Sequence, residues 1–299
     1  MHSFRFRLLL SSALLVSCGV LTSFHRPPVD NTVDFLVLDP GHGGQDPGAV
    51  GLKQNEKTVV LEVSLRTQRL FKELQPDTRV ELTRTKDEFV GLMERAEYAN
   101  KRKADLFISI HCNANPNKTA YGSETFAMGL HKEDANMSVM MAENSSILLE
   151  ANYKEKYDNF NPRSQESYIM FSLMQNAFLR QSLRLAGKLE TQYKNYANRY
   201  SRGIKQAGFL VLWKTSMPAV LTEIGFISNA AEEKFLISDE GQAYIANSIY
   251  KAVKEYQNEA NAETAPRPKP TPADSTPVRG SSGNNTTNPA KPTTVHAGR

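Results

Sequence analysis

An α/β domain, built on one mostly parallel, twisted sheet with helices on both faces, is predicted by three observations. Short, nearly continuous apolar runs alternate with longer segments of helical period, the chain order of a parallel sheet. Runs such as "VDFLVLD" (33–39) and "ADLFISIH" (104–111) leave no polar face, as suits strands buried on both sides. No repeat breaks this order, and large apolar residues all but vanish after residue 258, so a single domain over 33–257 accounts for the folded part.

The elements follow in turn. "VDFLVLD" reads as a strand closed by Pro40-Gly41. Asn55, a candidate N-cap, then precedes "EKTVVLEVSLRTQRLFKEL", where Val59, Val63, Leu70 and Leu74 recur at helical spacing. Glu56 sits in its first turn, at the positive end of the helix dipole. "RVELTR" (79–84) reads as a second strand, "FVGLMERAEYANKR" (89–102) as a helix and "ADLFISIH" as a third strand. Beyond "GSETFAM" (122–128), an insertion at about 130–168 has helical potential around 136–150. The apolar runs "FLVL" (209–212) and "AVLTEIGF" (219–226) come next, before a closing helix around "GQAYIANSIYKAVKEY" (241–256).

The two ends differ from this pattern. Residues 1–24 read as an export signal: Arg5 and Arg7 precede an apolar run and then small residues, over too short a length for a membrane span. Within it, "LVSC" resembles the bacterial lipobox, whose cysteine becomes the lipidated first residue. Cys18 therefore has two readings, lipid anchor or removal with the signal, and membrane contact is expected only through the first. The other cysteine, Cys112, leaves no internal disulfide in a mature domain. Residues 259–299 are rich in Pro, Thr, Ser, Asn, Gly and Lys and bury too little to fold, so a disordered tail is expected. The formal charge of +4 is dispersed rather than gathered in a block, which argues against a nucleic-acid partner.

"LDPGHGGQDPGAVG" (38–51) is glycine-rich but lacks the Lys-Ser/Thr pair of a phosphate loop. In open parallel sheets ligands gather at the carboxyl ends of the strands. His42 follows the first strand, His111 ends the third and Glu223 lies in the last apolar run. One histidine at a strand end is ordinarily a structural group; two at one edge point to a metal. A hydrolytic zinc site takes three ligands from His and carboxylates and leaves the fourth position for water. His42, Glu56 and His111 supply such a set, although Glu56 also reads as a plain helix-dipole carboxylate. Glu223 is costly inside an apolar strand unless it faces a site or a partner. Its two readings are a core carboxylate paired with Arg84 or Arg95, and a general base beside the metal.

The blocks "LDPGHGGQDPGAVG", "NEK", "VELTRTKDEFVGLMERAEYAN", "ADLFISIHCNA", "GSET" and "PAVLTEIGFISN" together closely resemble the zinc-dependent N-acetylmuramoyl-L-alanine amidases of the type 3 family, in order and over nearly all of 33–256. The resemblance implies hydrolysis of the amide between N-acetylmuramic acid and the L-alanine of the peptidoglycan stem, in wall remodelling or daughter-cell separation. It implies Zn2+ held by His42, Glu56 and His111, with Glu223 catalytic. Asn113, Ser123 and Asn229 adjoin the blocks as candidate substrate contacts, each with an equally good reading as a turn or cap residue. Some family members carry an inhibitory helix where this chain has its insertion, removed by an activator protein. Glu143 or Glu150 would then cap the metal, a solvated surface helix being the plain alternative. An exported enzyme of the periplasm or cell envelope follows. A zinc peptidase or deacetylase would share the ligands but not the ordered blocks, and a non-catalytic wall-binding module would be expected to lack Glu223 or a ligand.

Overall fold

The computed structural model describes residues 33–130, 134–172 and 177–264. The expected export signal with Cys18 lies outside the described residues, as does the expected tail beyond residue 264; the first residues assigned to that tail, 259–264, instead continue the closing helix, where Glu259 pairs with Lys188 and Ala260 is buried. Strand β1 (Phe35–Pro40), helix α1 (Glu56–Leu74), β2 (Arg79–Leu82), α2 (Leu92–Arg102), β3 (Leu106–Asn113) and β4 (Ser123–Met128) come first. The insertion holds α3 (Asp134–Asn144), a 3-10 turn (Ser145–Leu149), α4 (Tyr153–Lys156) and α5 (Gln165–Ser172). Then follow α6 (Leu179–Asn195), β5 (Ser201–Ala207), α7 (Leu210–Trp213), β6 (Ala219–Phe226), α8 (Ala230–Leu236) and α9 (Asp239–Thr264).

The six strands form one sheet in the order β2-β1-β3-β6-β4-β5. Pairs β1–β2, β1–β3 and β3–β6 are parallel, whereas β4 is antiparallel to β6 and carries β5 parallel to itself. The expectation of a mostly parallel sheet therefore holds, with a reversed pair of strands at one edge. Alternate residues of each strand face opposite layers. Leu36, Leu38, Ile108, Val220 and Ile224 pack with α1, α6 and α9 through Val63, Leu189 and Ile249. Val37, Phe107, Phe126 and Leu221 pack with α2, α3 and α7 through Ala99, Met140 and Leu212. Helices thus cover both faces, as expected. Among the described residues, no helix is long and apolar enough to cross a membrane.

Local departures have physical causes. α2 begins at Leu92 rather than Phe89, because Gly91 is extended (φ −63°, ψ 151°) and its carbonyl takes the Arg95 amide as the first helical bond. Asn55 occupies the N-cap position of α1, yet its side chain makes no capping bond. "FLVL" is absorbed into the short helix α7.

A buried ion pair ties β1 to α2. Arg95 donates to Asp39 Oδ1 (2.8 Å) and to the carbonyls of Pro40, His42 and Val90, and its side chain is 2% exposed. Burial alone would raise the Asp39 pKa, but Arg95, with the Thr83 and Ser109 hydroxyls, holds it below the usual value. Stability from this pair is present above the unfolded-state pKa and is lost as pH falls through the lower folded one. Arg95→Met should destabilise the domain by about 3–5 kcal/mol, because it strands a buried carboxylate. Urea unfolding followed by circular dichroism measures this.

Candidate metal centre

The glycine-rich loop leaves β1 at the carboxyl edge of the sheet and aims His42 across it. His42 itself takes the left-handed conformation (φ 57°), unusual for a residue with a side chain. Two glycines are needed there for close approach. A Cβ on Gly41 would fall 2.3 Å from His111 Cε1, and one on Gly48, already at φ +66°, would fall 2.5 Å from Glu56 Oε2. The loop is therefore shaped around side chains.

Glu56 opens α1 and is fully buried. Its Oε1 accepts the Cys112 amide (2.8 Å) and its Oε2 the Ala49 amide (2.7 Å), which orients both oxygens toward the histidines. His42 Nε2 lies 3.2 Å from Glu56 Oε2, and His111 Nδ1 lies 3.1 Å from Glu56 Oε1. The two ring nitrogens are 3.2 Å apart. A fourth group enters from the insertion: Glu143 Oε2, on α3, lies 3.2 Å from His42 Nε2 and 2.9 Å from His111 Nδ1. One ligand atom from each of these four residues lies within 4.8 Å of the other three.

The outer bonds of both imidazoles fix which nitrogen faces inward. His42 Nδ1 contacts Asp46 Oδ2 (2.9 Å), so the ring donates there and keeps the Nε2 lone pair for the cluster. His111 Nε2 contacts Ser109 Oγ (3.1 Å), whose hydroxyl donates to Asp39, so His111 offers its Nδ1 lone pair. Two lone pairs and two carboxylates then converge on one point. Glu143 Oε2 is buried there with no hydrogen-bond partner. Burial alone would lower the His111 pKa, yet Glu143 and Glu56 raise it to about 10, so the carboxylates demand positive charge at this point. The donor set fits a divalent metal ion.

Asp46, four residues beyond His42, was not singled out by the sequence, although an acidic group one turn from a histidine ligand is the available signal. Asp46→Ala should weaken metal binding about 10–100-fold, as loss of such an outer-shell carboxylate typically does. Titration of the metal-free protein, read by competition with a chromophoric chelator, measures this.

Glu223 stands beside the cluster. Its Cα pairs in register with His111 on β3 and Glu124 on β4. It is fully buried, and neither carboxylate oxygen has a hydrogen-bond partner. Burial first, then the Glu143 charge, pushes its pKa well above the usual carboxylate value. Arg84 and Arg95 are not its partners, since both are spent on the carbonyls of the loop and, for Arg95, on Asp39. The core ion pair read as one option for Glu223 is thereby corrected.

A cleft of about 760 Å³ adjoins the cluster, lined by His42, Asn113, Glu124, Glu143, Arg202 and Lys205 among others. Of the other candidates, Asn113 lines the cleft and donates to Glu124 Oε1 (2.7 Å). Ser123 turns away, its hydroxyl bonded to Glu190 on α6 (3.0 Å). Asn229 caps α8, accepting the Ala231 and Glu232 amides. Glu150 is remote from the cluster. It accepts the Leu92 amide (3.1 Å) at the start of α2 and the Tyr157 hydroxyl (2.6 Å), so it anchors the insertion instead.

Comparison with known proteins adds to this geometry. The family described as N-acetylmuramoyl-L-alanine amidase matches residues 36–255. The N-acetylmuramoyl-L-alanine amidase AmiA of Escherichia coli (strain K12) is 35% identical over 222 residues, which are 74% of this chain and 75% of that protein. The catalytic domain of CwlV, an N-acetylmuramoyl-L-alanine amidase from Bacillus (Paenibacillus) polymyxa var. colistinus, superposes with a TM-score of 0.56 at 29% identity. The match covers 75% of this chain and 98% of that one. An N-acetylmuramoyl-L-alanine amidase from Clostridium difficile 630 gives 0.57 at 26% identity, covering 76% and 98%.

Proposed function

The chain belongs to the N-acetylmuramoyl-L-alanine amidase family, and on that premise we propose that it is a zinc enzyme that cuts peptidoglycan between N-acetylmuramic acid and the L-alanine of the stem peptide. The observation that carries this reading is the convergence of His42, Glu56 and His111 beside a buried carboxylate without a partner, Glu223. A zinc ion bound by the three would supply Lewis acidity, acidifying a water and polarising the scissile carbonyl.

The chain's own groups do the rest. Asp46 and Ser109 hold the two imidazoles with their lone pairs inward. Glu223 Oε takes a proton from the attacking water and returns it to the leaving alanine nitrogen. Burial and the neighbouring carboxylates raise its proton affinity, which favours taking the proton from water before it is handed to the leaving nitrogen. The buried strands around it shield the transfer from bulk solvent.

Glu143 fits a second role, as an inhibitory fourth ligand carried on α3, standing where the attacking water would bind. Asn144 next to it donates to the Gly208 carbonyl (2.9 Å) and accepts the Leu210 amide (2.8 Å), which fastens the end of α3 over the cleft. An activator protein that draws this segment away opens the site. The enzyme acts on the envelope side of the membrane, in the periplasm or on a lipid anchor at Cys18, in wall remodelling or daughter-cell separation.

Digestion of purified peptidoglycan by the zinc-loaded protein, with mass analysis of the products, tests the reaction. Free stem peptides and peptide-free glycan are expected. Disaccharide-peptides as the products would refute the assignment.

A further inference from the structure

Deepening the proposed reaction, and resting on it for the identity of the substrate, the geometry points to Arg202 and Lys205 as a site for the free α-carboxylate of the second stem residue, a γ-linked D-glutamate. Both side chains project from the edge strand β5 into the cleft that holds the metal cluster. Both bond the same oxygen, Glu124 Oε2, at 3.0 Å from Arg202 Nε and 2.6 Å from Lys205 Nζ. Asn113 occupies the other oxygen at 2.7 Å. Glu124 is itself buried, its side chain 3% exposed, and sits as a fixed anchor beneath the two cations.

One carboxylate between two cations leaves a unit of positive charge on this wall of the cleft. The Glu124 bond uses the Arg202 Nε–H and leaves both Nη groups for another acceptor. The Arg202 guanidinium also lies over the Phe226 ring, 5.0 Å from its centroid, and the Lys205 ammonium 5.7 Å from that of Phe126. Carboxylate below and aromatic ring alongside hold the cations in place before a ligand arrives. A fork of this kind matches a second carboxylate, which would be gripped by charge-assisted hydrogen bonds. The side chains are 33% and 15% exposed, so they remain reachable from the cleft.

Spacing selects which carboxylate. His111, Glu223 and Glu124 lie in register across β3, β6 and β4, and β5 is the next strand. Three interstrand steps of about 4.8 Å place the Arg202 backbone roughly 14 Å from that of His111. Two residues of extended chain span at most about 7 Å, and a long arginine side chain bridges the remainder. The carboxylate two residues beyond the scissile carbonyl is therefore the one in reach. In the stem peptide that group is the α-carboxylate of D-glutamate, left free because the chain continues through its γ-carboxyl. Where that carboxylate is amidated, the residue is D-isoglutamine and the negative charge is gone.

The test compares L-alanyl-D-isoglutamate with L-alanyl-D-isoglutamine, both as γ-methylamides so that only the α-carboxylate differs, titrated into the zinc-loaded full chain by NMR. In parallel, hydrolysis of the two corresponding N-acetylmuramoyl dipeptides is measured. The expected result is at least tenfold tighter binding of the isoglutamate peptide and a similar preference in kcat/KM. Both preferences should shrink toward one in Arg202→Gln and Lys205→Gln. Equal binding of the two peptides by the unaltered protein overturns the assignment. The comparison needs no variant, so a misfolded substitution cannot mask the answer. A carboxylate preference in binding without cleavage of either muramoyl substrate would uphold the site and remove the amidase reading instead.

Discussion

A Glu223→Gln protein is expected to lose about a hundred- to ten-thousandfold in kcat on peptidoglycan while keeping its metal content and its fold. Glutamine matches glutamate in size but cannot take a proton from water. The structure gives an unusually clean substitution, because neither Glu223 oxygen makes a hydrogen bond that the change would break. Burial already disfavours the charged form, so a neutral amide in the same place should leave stability unchanged or slightly raised. Turnover and metal content measured on the same preparation separate the outcomes: near-normal turnover with full metal would remove Glu223 from the chemistry. Loss of both would point to a structural role.

Glu143→Ala is expected to change activity in the opposite direction. The carboxylate stands 3.2 Å and 2.9 Å from the two inward histidine nitrogens, where, on the proposed inhibitory role, it would compete with water for the fourth ligand position. A charge-assisted contact of about 1.5–3 kcal/mol corresponds to about 10–100-fold in the population of open enzyme. Basal hydrolysis of purified peptidoglycan should therefore rise by roughly that factor. Deleting the insertion at about 130–168 should raise it at least as far. Unchanged rates in both proteins, with the fold intact by circular dichroism, would make the insertion a surface helix with no inhibitory role.

Glu143 and Glu150 also show where the sequence runs out. They are seven residues apart, two turns of a continuous helix, so periodicity puts both on one face and cannot choose between them. The structure separates them by ending α3 at Asn144 and continuing as a 3-10 turn, which delivers Glu143 to the histidines and Glu150 to the start of α2. α1 and β6 were legible to the residue: Glu56–Leu74 carries a long helical period, and "AVLTEIGF" is an apolar run with a turn on each side. β5 was invisible. "SRGIKQA" is an edge strand, mostly polar and half-exposed, and it holds its place by pairing with β4 rather than by its own apolar pattern. The reversal of β4 likewise depends on long-range pairing. Asp39 and Arg95 meet 56 positions apart, and no local spacing foretells that. Ser123 and Asn229 sit next to recognisable blocks but serve α6 and α8, since adjacency in sequence does not set which face of a strand or helix end a side chain occupies.

Diffraction from crystals of the zinc-loaded full chain, collected on both sides of the zinc absorption edge, tests the account most directly. One anomalous peak is expected, about 2.0–2.2 Å from His42 Nε2, His111 Nδ1, a Glu56 oxygen and Glu143 Oε2. No peak at that point, or a metal bound elsewhere with these four side chains apart, would contradict it.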